Sequence, residues 1–315
     1  MATSPLANQS AGRSLCPVQL GDRFGYVDHR GTLAIAPTLE QAQPFFAGLA
    51  AACVDRRWGY LNLSGQWAIA PQFDDARDFG EAAAAVCCNS QWGLIDPTGQ
   101  PLTATTFADL RPLRGGLAAA AMAGQWGYID GGGQWAISPR FDDAGDFSDA
   151  VALVLRDRRW SFVHRDGATS GIGTYDEAGD FADGLAPVRI ADHWGFVNRH
   201  GHLTIGAAWR QAKSFHEGLA AVRADRGWGF VASDGRVAIA PQFHYVQDFC
   251  EGVCAAQIDS ADGPRYGYLG RDGRWLVAPQ FALALPMHSG LAAAYTATAA
   301  VVVDRAGKTV FRRSL

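Results

Sequence analysis

Short apolar runs alternate with turn-forming residues along most of this chain, and the alternation is regular. One stretch serves as the example. Leu49 to Val54 is apolar, Asp55-Arg56-Arg57 is polar and turn-like, Trp58 to Asn62 is rich in β-formers, Asn62-Leu63-Ser64-Gly65 is a second turn, and Gln66 to Ala70 is a third β-rich run that meets Pro71. Runs of this length between turn residues predict three short antiparallel strands in a meander. In the second strand Trp58 and Tyr60 face one side while Gly59 and Leu61 face the other, and in the third Trp67 and Ile69 share a face. Gly59 leaves room for a neighbouring backbone or ring to come close. Pro71 removes a donor and is expected to end the pairing. A meander this small cannot bury both faces alone, so its neighbours must cover it.

Those neighbours are further copies of the same unit. Aromatic-glycine pairs stand at Phe24-Gly25, Trp58-Gly59, Trp92-Gly93, Trp126-Gly127, Trp194-Gly195, Trp228-Gly229 and Tyr266-Gly267, with Trp160-Ser161 in the remaining slot and a degenerate copy at Ala300-Val301. The step is 34 residues, except 38 between Trp228 and Tyr266, where four residues are inserted. Seven residues after each of these positions comes a glycine: Gly31, Gly65, Gly99, Gly133, Gly167, Gly201, Gly235, Gly273 and Gly307. Asp96-Pro97-Thr98-Gly99 shows the cause, because a type I turn opened by Asp and preset by Pro closes on a left-handed residue. Pro71-Gln72-Phe73 and Ala76 to Phe79 recur in the crossing segment, and Gly48-Leu49-Ala50 recurs where the next unit begins.

This pattern, W-G-[YF]-[ILV]-[DN]-x-x-G followed by P-x-F-D-x-A-x-x-F and G-L-A, resembles the bacterial WG-repeat (KWG-type) family over about residues 15 to 311. The resemblance implies an all-β repeat protein and no single shared activity. The fold expected is a tandem array of about nine three-stranded meanders, open and superhelical, with a closed propeller-like ring as the alternative. The array is favoured because the chain opens on the first strand of a unit and ends on a third, without the permuted strand by which propellers often close. Residues 1–14 are expected to be a disordered lead, 15–311 the repeat domain with units starting near 24, 58, 92, 126, 160, 194, 228, 266 and 300, and 312–315 a tail.

Composition narrows the function. Hydrophobic residues make up 48% of the chain and charged residues 18%, with a formal net charge of -4 and a pI near 6.0. No excess of Lys and Arg is available to displace counterions from phosphates, so nucleic acid is not an expected partner. No apolar run is long enough to span a membrane and no signal peptide precedes the repeats, so a cytoplasmic, monomeric protein is expected. Cys16, Cys53, Cys87, Cys88, Cys250 and Cys254 do not follow the repeat, and neither they nor His200 and His202 form a metal-ligand set. Asp74, Asp75, Asp142, Asp143, Asp146 and Asp180 occupy equivalent slots of separate units and should be spread along the array, where turn capping explains them. No catalytic constellation and no cofactor fingerprint is present, so no enzyme is expected.

Two binding features remain. The turn between first and second strands carries mixed charge at Asp22-Arg23, Asp55-Arg56-Arg57, Asp157-Arg158-Arg159 and Asp225-Arg226, which puts Arg57, Arg159 and Arg226 along one rim. The insertion widens one such turn, Asp259-Ser260-Ala261-Asp262-Gly263-Pro264-Arg265, and insertions in repeat proteins map to binding faces. Asp259, Ser260, Asp262 and Arg265 are therefore the first partner contacts expected. The function expected is a protein-interaction scaffold. The alternative is a carbohydrate or cell-envelope binder, in which rings such as Trp67, Trp135 and Trp275 point to solvent.

Overall fold

The computed structural model describes residues 15–315 apart from residues 81, 105, 149, 170–172 and 262. The expected disordered segment 1–14 lies outside the described residues, as does Asp262. The described chain is all-β and forms nine small antiparallel sheets. The second sheet is typical: an inner strand Gln41–Ala42, a second strand Leu49–Val54, a third Arg57–Asn62 and a fourth Trp67–Phe73. Three of these are the strands the sequence predicts. The extra one comes from the crossing segment, which pairs with the next sheet as well as connecting to it: Asp75 pairs with Cys87 and Ala76 with Val86. Each blade therefore takes its inner strand from the tail of the preceding repeat.

Pro71 does not end the pairing. The fourth strand runs through it to Phe73, and the register slips so that Tyr60 faces Ile69 while Trp58 faces Phe73. A bulge tolerates a residue without an N–H. The bulged backbone lies over the glycine of the aromatic-glycine pair: a Cβ on Gly59 would sit 2.6 Å from the Ile69 oxygen and 2.7 Å from the Pro71 nitrogen. Gly127, Gly195, Gly229 and Gly267 meet the same obstacle at 2.5–2.7 Å. The repeat glycine is thus fixed by its own blade. The turn glycine seven residues beyond the aromatic is fixed by conformation, with Gly65 at φ +80°.

The nine sheets close into a ring, so the open array is corrected to its alternative, a propeller-like ring. Cys16, Val18 and Val27 of blade 1 form one core with Leu291, Ala293, Ala300 and Val302 of blade 9. The Gln19 N–H donates to Tyr295 Oη at 2.9 Å across the same junction. The inner strands face the axis, because only there do distant blades meet: His288 of blade 9 acts on Asp78 of blade 3, and Arg77 of blade 3 acts on Asp146 of blade 5. Blade 1, Leu15–Leu20, Arg23–Asp28 and Leu33–Leu39, has no inner strand among the described residues. His288 spans that position, with Nε2 2.8 Å from the Phe45 oxygen and its ring 4.8 Å from Phe46. The last strand, Thr309–Ser314, runs past the boundary at 311 into the residues expected to form a tail.

One contact recurs between blades. The third-strand aromatic stands edge-on to an aromatic of the innermost segment of the next blade: Tyr26–Phe45, Tyr60–Phe79, Tyr128–Phe147, Phe162–Phe181, Phe196–Phe215 and Phe230–Phe249, with centroids 4.7–5.0 Å apart. Where the ring is tyrosine, its hydroxyl donates to a carbonyl of that segment, as Tyr60 does to Arg77 at 2.7 Å. Removing the fully buried ring of Phe249 should cost about 3–5 kcal/mol. Phe249→Ala is expected to lower the urea midpoint strongly, whereas Lys308→Ala in an exposed turn should change stability by no more than about 0.5 kcal/mol. Equal midpoints for the two variants would show that the ring pair does not hold the blades.

Candidate functional site

The rim charges are built from two neighbouring turns and the residue that crosses between blades. Arg57 pairs with Asp74, and Asp74 Oδ2 also accepts the Asn89 N–H of the next blade at 2.6 Å. Arg159 pairs with Asp176 and donates to the Thr174 oxygen at 2.9 Å. Arg57 and Arg159 therefore clamp blades together, and neither is a free cation on a binding rim. In blades 7 and 8 the charges are exchanged: the crossing residue is Arg210 or His244, and the turn supplies Asp225 or Asp259. Arg226 is exposed beside Asp225 and has no ion-pair partner among the described residues.

Nearer the axis a second pattern runs from blade to blade. Arg77 lies 4.6 Å over Trp92 and pairs with Asp109 of the next blade at 2.7 Å. Arg111 lies 5.4 Å over Trp126 and pairs with Asp143 at 3.3 Å. In blade 7 the cation is Lys213, 5.5 Å over Trp228, but the acid slot of the next blade holds Tyr245, whose ring is 4.8 Å from the ammonium. The nearest acid to Lys213 is Asp248 at 3.9 Å, which His216 shares at 3.6 Å. A parallel exchange affects the second strand. Arg189 in blade 6 pairs with Glu177 at 3.0 Å, whereas Arg223 in blade 7 finds only Gln211 at 3.2 Å.

Without those acids the junction of blades 7 and 8 opens into a cleft of about 440 Å³ lined by Gln211, Arg223, Trp228, His244, Tyr245, Gln257 and Tyr266. Tyr245 is 38% exposed and stands 6.5 Å from Tyr266, edge to face. The inserted loop borders this cleft, because Asp259 holds the lining residue His244 by its Nδ1 at 2.9 Å. Ser260 closes the loop on itself by donating to the Gly263 oxygen at 2.5 Å, and Arg265 donates to the Pro264 oxygen at 3.0 Å. A shallower cleft of about 390 Å³ lies at the junction of blades 6 and 7, lined by Asp192, His193, Ala208, Arg210, Ala224 and Asp225. Trp67, Trp135 and Trp275 do not stand free. They are half-buried, and the last two pack edge-on to Phe107 and Phe243 at 5.8 Å.

The expected acids divide by position. Asp74 and Asp142 serve the rim, the latter by accepting the Asp157 N–H at 2.9 Å, and Asp75 and Asp143 accept the N–H of the next residue. Ring closure turns Asp146 and Asp180 toward the axis with Asp78, where an open array would have kept them apart. Burial pushes all three carboxyls up, and at Asp180 the charge of Asp146 adds to the effect. Asp78 Oδ1 and Asp146 Oδ1 are buried without a hydrogen-bond partner. Among the described residues no group of three His, Cys, Asp or Glu side chains could hold a metal ion. All six cysteines are free, and burial pushes the thiols of Cys16 and Cys254 up to about 12. Among the described residues no helix is long and apolar enough to cross a membrane.

The fold is that of a closed, nine-bladed β-propeller whose blades are tandem repeats. The WG containing repeat matches residues 24–57, 58–92, 92–125, 126–160, 173–192, 194–226, 228–260 and 266–295, and the chain belongs to that family. No curated protein matches it. Among solved structures, a eukaryotic initiation factor is similar with a TM-score of 0.65 and 10% identity, covering 96% of each chain. Dihydro-heme d1 dehydrogenase NirN in complex with DHE is similar with a TM-score of 0.53 and 12% identity, covering 100% of this chain and 74% of that one. At these identities the likeness is one of fold alone.

Two outcomes test this geometry. A carboxyl raised by folding stabilises below its unfolded value, 3.8 for Asp146, and loses that contribution as pH rises through the folded value. Asp146→Asn should therefore raise the thermal midpoint at pH 7, and the gain should shrink as pH falls toward 3.8. A gain independent of pH would contradict the assignment. Iodoacetamide at pH 8 should leave Cys16 and Cys254 unlabelled in the folded chain and label them in urea, as read by peptide mass spectrometry.

Proposed function

We propose that this chain is a non-enzymatic ligand-binding propeller, that its ligand is a carbohydrate, and that the cleft between blades 7 and 8 is the binding site. The observation that carries this reading is the composition of the cleft. Three aromatic rings, Trp228, Tyr245 and Tyr266, share it with the amides of Gln211 and Gln257 and with Arg223 and His244. Sugar rings present apolar C–H faces and a girdle of hydroxyls, so they take an aromatic face together with amide and guanidinium partners. The inserted loop beside the cleft is consistent with a binding face. The rings that support the reading are not the strand residues Trp67, Trp135 and Trp275 but those at the junction.

The competing reading is a protein-interaction scaffold. It draws its appeal from a long contoured face, and a closed ring offers a shorter one. Calorimetric titration with a panel of oligosaccharides separates the two. At least one glycan should bind the native chain, and Tyr245→Ala should weaken it tenfold or more, equivalent to about 1.4 kcal/mol. Leu283→Ala, in the same slot of blade 9 and 45% exposed, should leave binding unchanged. A stoichiometric protein captured by the native chain, with no glycan bound at millimolar concentration, would replace this reading with the scaffold.

A further inference from the structure

We infer that the ligand of the blade 7/8 cleft is an acidic saccharide, a pyranose bearing a carboxylate or sulfate, held by Arg223, which lines it. The inference rests on the carbohydrate reading of the same cleft and adds the charge of the ligand. It comes from comparing junctions built on one repeat. Blades 3 and 4 each carry a cation on the inner strand, and the next blade neutralises it: Arg77 with Asp109 and Arg111 with Asp143. Blade 6 carries a cation on its second strand and neutralises it within the blade, Arg189 with Glu177. Blade 7 keeps both cations, as Lys213 and Arg223, but only the first is held by other groups, the Val246 oxygen at 2.9 Å and Asp248 at 3.9 Å, while Arg223 reaches Gln211 instead of an acid. Tyr245 stands where Asp109 and Asp143 stand, and Gln211 stands where Glu177 stands.

The consequence is electrostatic. Arg223 has a neutral amide where Arg189 has a carboxylate, and a surface ion pair of the ordinary kind contributes up to about 1 kcal/mol. The neighbouring acids do not make up the difference. Asp248 is 3.9 Å from Lys213 and is shared with His216, and Asp259 is engaged by His244. Meanwhile the two replacements supply what a sugar needs, a half-exposed ring and an amide. An anionic group on the ligand then takes the place of the missing carboxylate, with Arg223 offering a planar fork. The sugar ring lies against Tyr245 and Tyr266, and Gln211 and Gln257 meet its hydroxyls.

The test uses a matched pair of probes: trimeric oligogalacturonate and its methyl ester, which keeps the sugar and removes the charge, with hyaluronan tetrasaccharide as a second acid. Binding to the full chain is read by titration calorimetry at two salt concentrations. The acid form should bind at least tenfold more tightly than its ester, and the difference should narrow at high salt. Gln211→Glu restores the acid that blade 6 carries, on an exposed residue that the fold does not need. It should weaken the acid probe at least tenfold more than the ester, which loses only a hydroxyl contact. Arg223→Gln should likewise erase the preference for the acid over the ester, with the circular dichroism melt confirming the fold. If acid and ester bind equally and both lose affinity in Tyr245→Ala, the charge inference falls while the carbohydrate reading stands. If neither acidic probe binds while a neutral glycan does, the inference is overturned in the same way. If no saccharide binds, both fall.

Discussion

The edge-on contact between a third-strand ring and the phenylalanine of the innermost segment of the following blade is the interaction on which this ring depends. It joins six of the nine blades to their successors at the level of the axis, where the curvature of the assembly is set. An aromatic pair in this geometry contributes about 0.5–1.5 kcal/mol beyond its area burial. Its larger effect is orientation, because the two rings fix the angle between adjacent sheets. Tyr26, Tyr60, Tyr128 and Tyr268 add a hydroxyl donor aimed at a carbonyl of the innermost segment, at 2.7–2.9 Å. Burial pushes these phenols well above their usual range, so they remain neutral donors at any pH the fold survives. Where the ring is Phe162, Phe196 or Phe230 the stacking persists without the hydroxyl, which shows that ring shape is the conserved element of the geometry within this chain.

A constant angle repeated nine times either closes or collides, and here it closes. Among the described residues no strand is exchanged between the chain ends. Blade 1 and blade 9 meet face to face as any other pair does, with Val18 and Val27 against Ala300 and Val302. Several contacts of the described residues lie along the edge of Leu15–Leu20. Pro17 has no N–H to satisfy, Gln19 gives its N–H to Tyr295, and His288 reaches the Phe45 carbonyl. Tyr295 and His288 lie outside the repeat consensus, and their departure from it has this local cause.

How much of this was legible in the sequence depends on whether a feature is local. The units, their register and the turn glycines are local, and they could be read from spacing alone. The bulge over Gly59 was half legible: the glycine announced a close approach, but Pro71 suggested an end to pairing because a proline in a bulge and a proline at a strand end look alike in one dimension. Closure is not local, yet a signal existed. An open array needs polar outer faces on its end units. Here the first strand carries Leu15, Cys16 and Val18 and the last blade Val301, Val302 and Val303, all buried. Two apolar end faces are what a ring requires, and they outweigh the missing permuted strand.

The candidate site shows the same division. The four-residue insertion was visible, and it does border the cleft. Arg57 and Arg159 were visible as rim cations, but their partners Asp74 and Asp176 lie 17 residues on, across a blade boundary that only the fold reveals. The cleft itself arises where the repeat breaks its own rules. Clamp charges are exchanged at Arg210 and His244, acids are lost at Gln211 and Tyr245, and the loop is lengthened after Asp259, all in blades 7 and 8. A symmetric ring offers nine nearly equivalent junctions, and each is filled by design of the repeat. Specific recognition needs a junction unlike the others, and coincident departures from a repeat are the mark of one. Single departures such as Tyr295 are explained by packing. A cluster of three kinds of departure around one opening, which leaves a cleft where other junctions have ion pairs, sets this junction apart from the rest of the ring.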